Sequence, residues 1–427
     1  MPNTGQYNGI DMANIASING QDVLSGGYTS SSTGLLTWGY DGSPIRPNPI
    51  KAYTGGSTPQ SYDQFNGISS YPVVQVAPSL YNTAVLDSNG DVYTGGSTNN
   101  TEMGRALTAS EPINEYHICS TISNVAKIVG HSGGWLAIKN DGTLWYTGSS
   151  ANFVGSSINY AWAQYGTDTD WVDIKSQPNY GYFIVFLKGA AGSYKIYASG
   201  YNQYGITGQG TTSGITNSPT RVKVSAGVDI DENIAAFDVG LNCCICTTTS
   251  GKLFSWGDGN YGQHGNGSST DLIYATQSGT DTDWAVPNVG AGWVGCIKTN
   301  GTFYRSTSNT FYTLWAALNH ANRQWVQVGT DTDWEEVHGF RLLASPHGTP
   351  SIIAKKGGVW VINMKNTTGW NGDKSETAVG VANTFYDMTS SANLETPLPS
   401  SGTINFMGYM CNMWNTSLPI GFMFSVS

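Results

Sequence analysis

Charged side chains are scarce in this chain of 427 residues. Lys, Arg, Asp and Glu together make up 11% of the sequence, whereas a soluble domain usually carries about 25%. Surface helices normally expose Lys and Glu on their outer faces, so this scarcity argues against a helical protein. The formal net charge is −10, and no polybasic run offsets it. Because an acidic chain repels phosphate groups, neither nucleic acid nor an anionic membrane surface is an expected partner.

Long apolar runs are absent as well. No segment approaches the roughly 18 consecutive apolar residues of a membrane-spanning helix. Residues 1–22 lack both the basic region and the apolar region of a signal peptide. The sequence therefore predicts neither membrane insertion nor export through a signal peptide.

The cysteines and histidines show no metal-binding pattern. The six cysteines lack the CxxC spacing of zinc sites, and the histidines form no HExxH motif. Cys243, Cys244 and Cys246 lie in one apolar run, where a free thiol packs as a small hydrophobic group. We therefore predict reduced core cysteines, a reducing compartment, no metal and no cofactor.

Glycine and aromatic residues are abundant instead, and a repeat organises them. The chain contains 54 Gly, and Phe, Trp and Tyr make up 12% of it. The hexamer GTDTDW occurs at 166–171, 279–284 and 329–334, and GVDIDE at 227–232 resembles a degenerate copy. Each copy is followed by short apolar segments that Gly-containing turns separate, which is the pattern of antiparallel strands.

Two-residue turns set the length of the repeat. Dipeptides such as Asn89-Gly90 and Asp141-Gly142 lie between alternating apolar runs and supply the positive φ angles of tight hairpins. The turn glycines recur about every fifty to sixty residues, as propeller blades do, at Gly34, Gly90, Gly142, Gly192, Gly251, Gly301 and Gly358. The sequence therefore predicts an all-β protein, a seven-bladed β-propeller with short strands in each blade.

The predicted domain organisation has three parts. Residues 1–20 form a leader or attachment segment, residues 21–381 form the propeller, and residues 382–427 supply strands that close it. In this arrangement C-terminal strands pair with the incomplete N-terminal unit, and the closed ring leaves few exposed sheet edges. An eighth unit formed by the irregular tail is the alternative.

Residues 251–267, GKLFSWGDGNYGQHGNG, resemble the repeat of the regulator of chromosome condensation family. That repeat has a turn Gly, a strand that ends in Trp-Gly, and then Asn, Gly-Gln and a further Gly. Residues 199–210 are a looser copy, and the other units keep the turn and the strand without the Gly-Gln tail. The resemblance implies a seven-bladed propeller over residues 20–380. The family's exchange activity on a small GTPase does not carry over, and its chromatin anchoring needs a basic surface that this acidic chain lacks.

Two further resemblances concern function. The hexamer is similar to linkers in microbial and bacteriophage members of that family, and residues 13–20, ANIASING, resemble leader strings of tailed-phage structural proteins. They imply a bacteriophage virion structural protein, a head or tail decoration or fibre component with a binding or host-attachment role, assembled in the host cytoplasm. Its partners would be other virion proteins and a host-surface glycan or receptor. The alternatives are a microbial propeller scaffold for protein partners and, with less support, a glycan-cleaving enzyme.

The paired carboxylates of the hexamers are the main candidates for chemistry. Two carboxylates two residues apart suit a Ca²⁺ site or a glycosidase pair. Because the pairs recur once in each unit, they would lie on separate blades, whereas catalysis needs one asymmetric group. We therefore expect no catalytic residues and interpret the hexamers as structural linkers. The linker residues are Gly166, Asp168, Asp170 and Trp171; Gly279, Asp281, Asp283 and Trp284; and Gly329, Asp331, Asp333 and Trp334.

Aromatic residues in polar, turn-rich context are the candidate binding residues. Aromatic rings stack on sugars and dominate protein interfaces, and the candidates are Tyr40, Tyr53, Tyr62, Trp370 and Trp414. Packing between blades is the alternative role for these rings. The repeat is interrupted at 40–70, at 100–124 and in the tail, and a specific site is expected where repeat symmetry fails.

Overall fold

A computed structural model gives the architecture of the chain. The structure describes residues 6–7, 10–11, 17–18, 21–22, 34–40, 73–79, 82–96, 103–106, 116–131, 133–148, 153, 159–176, 183–240, 242–290, 293–306, 323–342, 349–363, 386–387, 404–410 and 420–426. Strands dominate this part of the chain, and a 3₁₀ turn lies at Gln203–Gly205. Within the described ranges, no helix is long and apolar enough to cross a membrane.

Six four-stranded antiparallel sheets follow one another along the chain, and each forms one blade. Within a blade, four consecutive strands lie side by side in chain order. Blade 1 has Val73–Pro78, Asn82–Asp87, Val92–Gly96 and His117–Ile118; blade 2 has Val125–His131, Gly134–Lys139, Leu144–Gly148 and Asn159–Tyr165; blade 3 has Trp171–Ser176, Phe183–Lys188, Lys195–Tyr201 and Ile215–Arg221. Blade 4 has Ile234–Val239, Cys243–Thr248, Leu253–Gly257 and Leu272–Gln277; blade 5 has Trp284–Val289, Val294–Lys298, Phe303–Ser306 and Val326–Gln327; blade 6 has Trp334–Leu342, Thr349–Lys356, Val359–Asn363 and Tyr386–Asp387.

A seventh sheet, the closing blade, joins strands from distant parts of the chain. Its strands are Ile404–Met410, Ile420–Val426 and Gly34–Tyr40, in that spatial order. The last two strands pair antiparallel along their whole length, and the first contacts the first strand of blade 1. The described tail strands thus belong to this sheet and to blade 6, not to an eighth unit. The seven sheets form the predicted seven-bladed β-propeller.

Three two-stranded hairpins lie outside the blades. Their strands are Gln6–Tyr7 with Ile10–Asp11, Ser17–Ile18 with Gln21–Asp22, and Lys223–Ser225 with Val228–Asp229. The third hairpin lies between blades 3 and 4, so it interrupts the link that connects them.

The first strands of neighbouring blades contact one another, which places them at the centre of the ring. A bulge interrupts the pairing of each first strand just after its first residue, for example between Trp171 and Asp173 in blade 3. The same irregularity occurs in all six four-stranded sheets. A bulge leaves one residue unpaired and re-aims its side chain. One local feature is therefore repeated at equivalent places around the ring.

The hydrophobic core lies between the blades. One cluster joins blades 3 and 4 and contains Phe183 and Trp256, and another joins blades 1 and 2 through Leu86 and Trp135. The second strands are buried along their length, as Cys243–Thr248 shows, which explains their continuous apolar sequences. The described cysteines are all buried and free of disulfide bonds: Cys119, Cys243, Cys244, Cys246 and Cys296.

Most hairpin glycines have the predicted backbone, as Gly251 with a φ of 76° illustrates. Two predicted turn positions differ. Gly34 is the first residue of a strand in the closing blade. Gly192 lies in a longer hairpin that connects Lys188 to Lys195, so the turn of blade 3 is not the two-residue turn that the dipeptide pattern predicts.

Candidate functional site

The two ends of the ring carry different connections. One end, which we call the linker end, holds the links between blades and the hairpins between second and third strands. The opposite end, the loop end, holds the hairpins between first and second strands and the loops between third and fourth strands. This division follows from the antiparallel order of every sheet. The hexamers and the bulged residues both lie at the linker end.

Each hexamer folds back onto the hairpin of the preceding blade. The amide of its tryptophan donates a hydrogen bond of 3.0–3.1 Å to the carbonyl oxygen of a hairpin glycine. The pairs are Trp171 with Gly142, Trp284 with Gly251 and Trp334 with Gly301. A Cβ atom on Gly251 would lie 1.8 Å from the carbonyl oxygen of Thr282. The hairpin therefore needs glycine for the close approach of the hexamer as well as for its positive φ.

A lysine of the following blade binds the carboxylates of each hexamer. In each case it is the last residue of that blade's second strand. The Nζ atom of Lys298 lies 2.6 Å from Asp281 and 2.9 Å from Asp283. That of Lys188 lies 2.6 Å from Asp168 and 3.5 Å from Asp170. That of Lys356 lies 2.7 Å from Asp331. The ammonium group lies where a bound cation would compensate the carboxylates. Among the described residues, no group of three or more His, Cys, Asp or Glu side chains is placed to hold a metal ion.

The same lysine lies over the ring of the hexamer tryptophan. The Nζ atom of Lys298 is 4.6 Å from the centre of the Trp284 ring, and that of Lys188 is 4.9 Å from the Trp171 ring. These are cation–π contacts. Burial lowers the pKa of Lys298, but the two hexamer carboxylates outweigh this effect, so the pKa is raised above its usual value. Two carboxylates share one ammonium group in this cluster, which leaves one negative charge uncompensated.

The link between blades 3 and 4 departs from this pattern because it contains the hairpin Lys223–Ser225 with Val228–Asp229. Val228 is 51% exposed at the tip of this insertion. Nothing in the sequence pattern distinguished this hairpin from an ordinary link, because its two strands are only two and three residues long.

The structural equivalent of the hexamer in this link lies at 229–234, two residues later than the predicted copy at 227–232. The amide of Ile234 donates to the carbonyl oxygen of Tyr194 at 3.0 Å, which is the bond that the hexamer tryptophans make to glycine. Ile234 thus takes the place of tryptophan. An ion pair between Glu232 and Lys252 replaces the cluster of two carboxylates and one lysine.

The bulged residues of the first strands are exposed in five of the six four-stranded blades, and most of them are apolar. Val74 is 49% exposed and Val172 is 40% exposed, and in blade 5 the residue after the bulge, Val286, is 39% exposed. Ala126 and Ala235 hold the bulged position in blades 2 and 4 and are also exposed. We call these five residues the apolar collar. The collar lies at the linker end of the first strands, which contact one another at the centre of the ring.

Polar contacts connect the first strands of neighbouring blades further along the ring's interior. Lys127 of blade 2 forms an ion pair with Asp173 of blade 3. Lys175 of blade 3 lies 3.0 Å from Asp238 of blade 4, whose second oxygen accepts a 2.7 Å hydrogen bond from the amide of Val289 in blade 5. These contacts compensate charges inside the ring and fix one blade against the next.

The loop that carries the Gly-Gln signature has a packing role at the loop end. A Cβ atom on Gly265 would lie 2.2 Å from the indole nitrogen of Trp325 in the next blade. The two ring nitrogens of His264 lie 3.1 Å from the Ser255 hydroxyl and 3.1 Å from the Gly257 carbonyl oxygen. Burial lowers the pKa of His264 to about 4, so the imidazole is neutral at pH 7. Gly265 therefore lets this loop pack closely on the next blade, while His264 fixes the loop to its own blade.

Other buried titratable groups are also held in their neutral forms. Burial lowers the pKa of His131 to about 3. Burial likewise raises the pKa of Cys244 and that of Cys296, and a thiol with a raised pKa is a weak nucleophile. These buried groups therefore pack in the core. The exposed groups that could contact a partner are the collar side chains and the hexamer carboxylates.

The predicted aromatic binding residues lie almost entirely outside the described ranges. Those outside are Tyr53, Tyr62, Trp370 and Trp414. Tyr40 is described as the last residue of a strand in the closing blade. These five assignments stay predictions. The interruption at 100–124 is partly described, and there Gly104 approaches the ring of Trp162 in blade 2, since an added Cβ atom would lie 2.6 Å from its nitrogen.

The sheets, their order and the blade-to-blade docking define an all-β, seven-bladed propeller. No protein-family model matches the chain. The fold is similar to the crystal structure of human WBSCR16, with 15% sequence identity and a TM-score of 0.64 over 92% of this chain and 98% of that one. It is also similar to Prp20p from Saccharomyces cerevisiae, with 13% identity and a TM-score of 0.61 over 94% and 93% of the two chains.

A third similar structure is the complex of Kap60 with yeast RCC1, Prp20. The identity is 13% and the TM-score 0.58, over 83% of this chain and 80% of that one. At identities this low, the similarity establishes the fold alone.

Proposed function

We propose that this chain is a non-enzymatic propeller scaffold that binds protein partners at its linker end. The apolar collar carries this proposal. Solvated positions beside charged links would ordinarily hold polar side chains. Five of the six bulged positions nevertheless hold Val or Ala, and four of these five are exposed. Exposed apolar side chains that are repeated at equivalent positions beside charged links are a candidate protein-interaction surface.

The similar structures support protein binding as a use of this architecture. The yeast Prp20p structure is described together with its binding to Gsp1p and histones, and the other Prp20 structure contains Kap60. Those partners belong to Prp20. Because one fold hosts many functions, the partner of this chain must be argued from its own surface.

The chemistry of the described residues supports a non-enzymatic role. A catalytic carboxylate pair needs one free, asymmetric constellation. The hexamer carboxylates instead recur at three links, and at each link a lysine binds them. Their repetition and their ion pairing suit a scaffold.

The proposal is tested by crosslinking mass spectrometry on the tagged chain purified from its native source. We expect a second protein at fixed stoichiometry, with crosslinks to linker-end lysines such as Lys223. Val172→Asp should reduce its recovery. Ile215→Asp, a matched change at a loop-end residue that is 47% exposed, should leave recovery unchanged. A chain that purifies alone and shows no crosslink to another protein would contradict the proposal.

A finer proposal places this scaffold in the particle of a tailed bacteriophage, assembled in the host cytoplasm. It would be a head or tail component that contacts other virion proteins and a host-surface glycan or receptor. The three identical GTDTDW hexamers favour this assignment, because they resemble linkers of bacteriophage propellers.

Mass spectrometry of purified particles with copy-number measurement tests the virion assignment. Hundreds of copies would indicate head decoration, and a few to tens of copies would indicate the tail. Absence of the chain from purified particles would overturn this assignment and leave the scaffold function in place.

A further inference from the structure

Carboxylates dominate the connections at the linker end. The described hairpins and links there contain Asp91, Asp141, Asp168, Asp170, Asp229, Asp231, Glu232, Asp281, Asp283, Asp331 and Asp333, against Lys223 and Lys252 within the same connections. Lysines at strand ends compensate part of this charge, as in the hexamer clusters. The described connections therefore form a net negative rim at this end.

The uncompensated charge of two hexamers, 166–171 and 279–284, lies close to the collar in sequence. Asp170 is followed by the buried Trp171 and then by the exposed Val172, and Asp283 precedes the bulge that ends at Val286 in the same way. The side chains of Asp170 and Asp283 are 49% and 43% exposed. Solvent therefore reaches both an apolar side chain and a carboxylate within about three residues of each other.

Two other places on the ring lack this combination of an uncompensated carboxylate and an exposed apolar side chain. In blade 6 the bulged position holds Glu335, which pairs with Lys355 at 3.4 Å. In the link between blades 3 and 4, ion pairs compensate Glu232 and Asp231 through Lys252 and Lys195. The spare negative charge thus belongs to the hexamer clusters and not to the inserted hairpin.

We propose that the linker end docks a basic protein segment that carries apolar side chains, which pack on the apolar collar while its cations pair with the spare hexamer carboxylates. This inference rests on the proposed scaffold function and names the partner's chemistry. Apolar burial supplies affinity. The negative rim increases the association rate and excludes acidic partners by like-charge repulsion.

Fluorescence anisotropy with three labelled peptides tests the inference on the full chain. The probes are GKKLGKKLG, the same peptide with Ser for Leu (GKKSGKKSG), and an acidic version (GEELGEELG). We expect the first to bind at least about fivefold more tightly than the second, because only the first can bury apolar side chains. The acidic peptide should not bind. Raising the salt concentration should weaken the first peptide's binding by screening the rim.

Paired variants locate the binding. Val172→Ser with Val286→Ser should remove the preference for the Leu peptide over the Ser peptide, while Ile215→Ser at the loop end should preserve it. Asp170→Asn with Asp283→Asn should lower the association rate and flatten the salt dependence. Circular dichroism melts check that each variant folds.

Three results would overturn this inference. They are equal affinity for the Leu and Ser peptides, a loss of the Leu preference in Ile215→Ser as large as in the Val172→Ser, Val286→Ser variant, and tight binding of the acidic peptide, which would indicate a partner of the opposite charge. Failure here is distinguishable from failure of the scaffold function. A native partner crosslinked at the loop end would sustain the scaffold and refute the basic docking segment, whereas a chain with no partner at all would refute both.

Discussion

The link between blades 4 and 5 and the link between blades 3 and 4 connect equivalent strands with different chemistry. The first is a short hexamer whose Trp284 and two carboxylates converge on Lys298. The second contains an extra hairpin, puts Ile234 in place of tryptophan, and relies on the ion pair of Glu232 with Lys252. The backbone bond that starts the next blade is the same in both. Propeller geometry therefore fixes the backbone of a link and leaves its side chains open to different solutions.

The largest expected effect comes from truncating the residue that starts the next blade. Trp284→Ala should lower the free energy of unfolding by about 3–5 kcal/mol, because it removes a buried ring that packs against Trp325 and Tyr304 and underlies Lys298. Ile234→Ala should lower the free energy of unfolding by less, because an isoleucine side chain is smaller than an indole and has no ring for a cation–π contact. Urea unfolding midpoints measure both variants. An equal or larger loss for Ile234→Ala would show that the two links depend equally on this residue.

The next largest difference between the two links should come from replacing their hairpin glycines, Gly251 and Gly192. Gly251→Ala should destabilise by about 2–3 kcal/mol through its positive φ and a clash, since the new Cβ atom would lie 1.8 Å from the Thr282 carbonyl oxygen. Gly192→Ala should cost only about 1 kcal/mol, because its φ is also positive but nothing lies within 4 Å of the new atom. Urea midpoints of the two alanine variants test this difference. Equal losses would mean that backbone strain, not the approach of the hexamer, sets the need for glycine.

The two lysines should differ by a smaller amount. Lys298→Met should cost about 1–2 kcal/mol, because two carboxylates lose charged hydrogen bonds and then repel each other. Lys252→Met should cost at most about 1 kcal/mol, as expected for a solvent-accessible pair. Their side chains are 10% and 33% exposed, respectively. In 1 M NaCl the loss of unfolding free energy should be smaller for both variants, because salt screens the ion pairs. A loss for Lys298→Met that does not depend on salt would indicate lost packing instead.

The smallest effect concerns pH. The hydrogen bond from Lys252 lowers the pKa of Glu232, so its stabilisation is complete above the unfolded value of about 4.3 and is lost as the pH falls through the folded pKa. Burial lowers the pKa of Lys298, but its carboxylate partners raise it overall. That stabilisation is complete below about 10.4 and is lost as the pH rises through the folded pKa.

Unfolding midpoints as a function of pH check both signs. Glu232→Gln should flatten the acid limb of the stability curve, and Lys298→Met should flatten the alkaline limb. An unchanged acid limb in Glu232→Gln would contradict the assignment of that ion pair to the link between blades 3 and 4.

Most of the fold could be predicted from the sequence, because the turn and strand patterns of one blade recur in the others. Turn glycines such as Gly251 and Gly301 have positive φ angles that no other residue adopts easily, so their spacing reports the blades directly. The signal failed at Gly192, where a longer hairpin keeps a glycine but shifts the equivalent position to Tyr194. A dipeptide pattern cannot distinguish a tight turn from a longer one that also contains glycine.

The candidate site was less accessible to sequence reasoning. The exposure of Val74 and Val172 was not predicted from the sequence, because it accompanies a bulge in the pairing of the first strand with the second. A bulge depends on pairing with the second strand, which composition does not encode. The lysine partners of the hexamers escaped notice for a similar reason, since Lys188 and Lys298 reach their carboxylates only after strands have paired.

The closing blade has a consequence for synthesis on the ribosome. Strand Gly34–Tyr40 leaves the ribosome long before its partner Ile420–Val426, because most of the propeller lies between them in the chain. At about 5–20 residues per second, translation leaves the early strand waiting on the order of tens of seconds. An apolar strand edge without its partner invites pairing with other nascent chains. The yield of folded protein should therefore depend on chaperones that shield this strand until Ile420–Val426 has been synthesised.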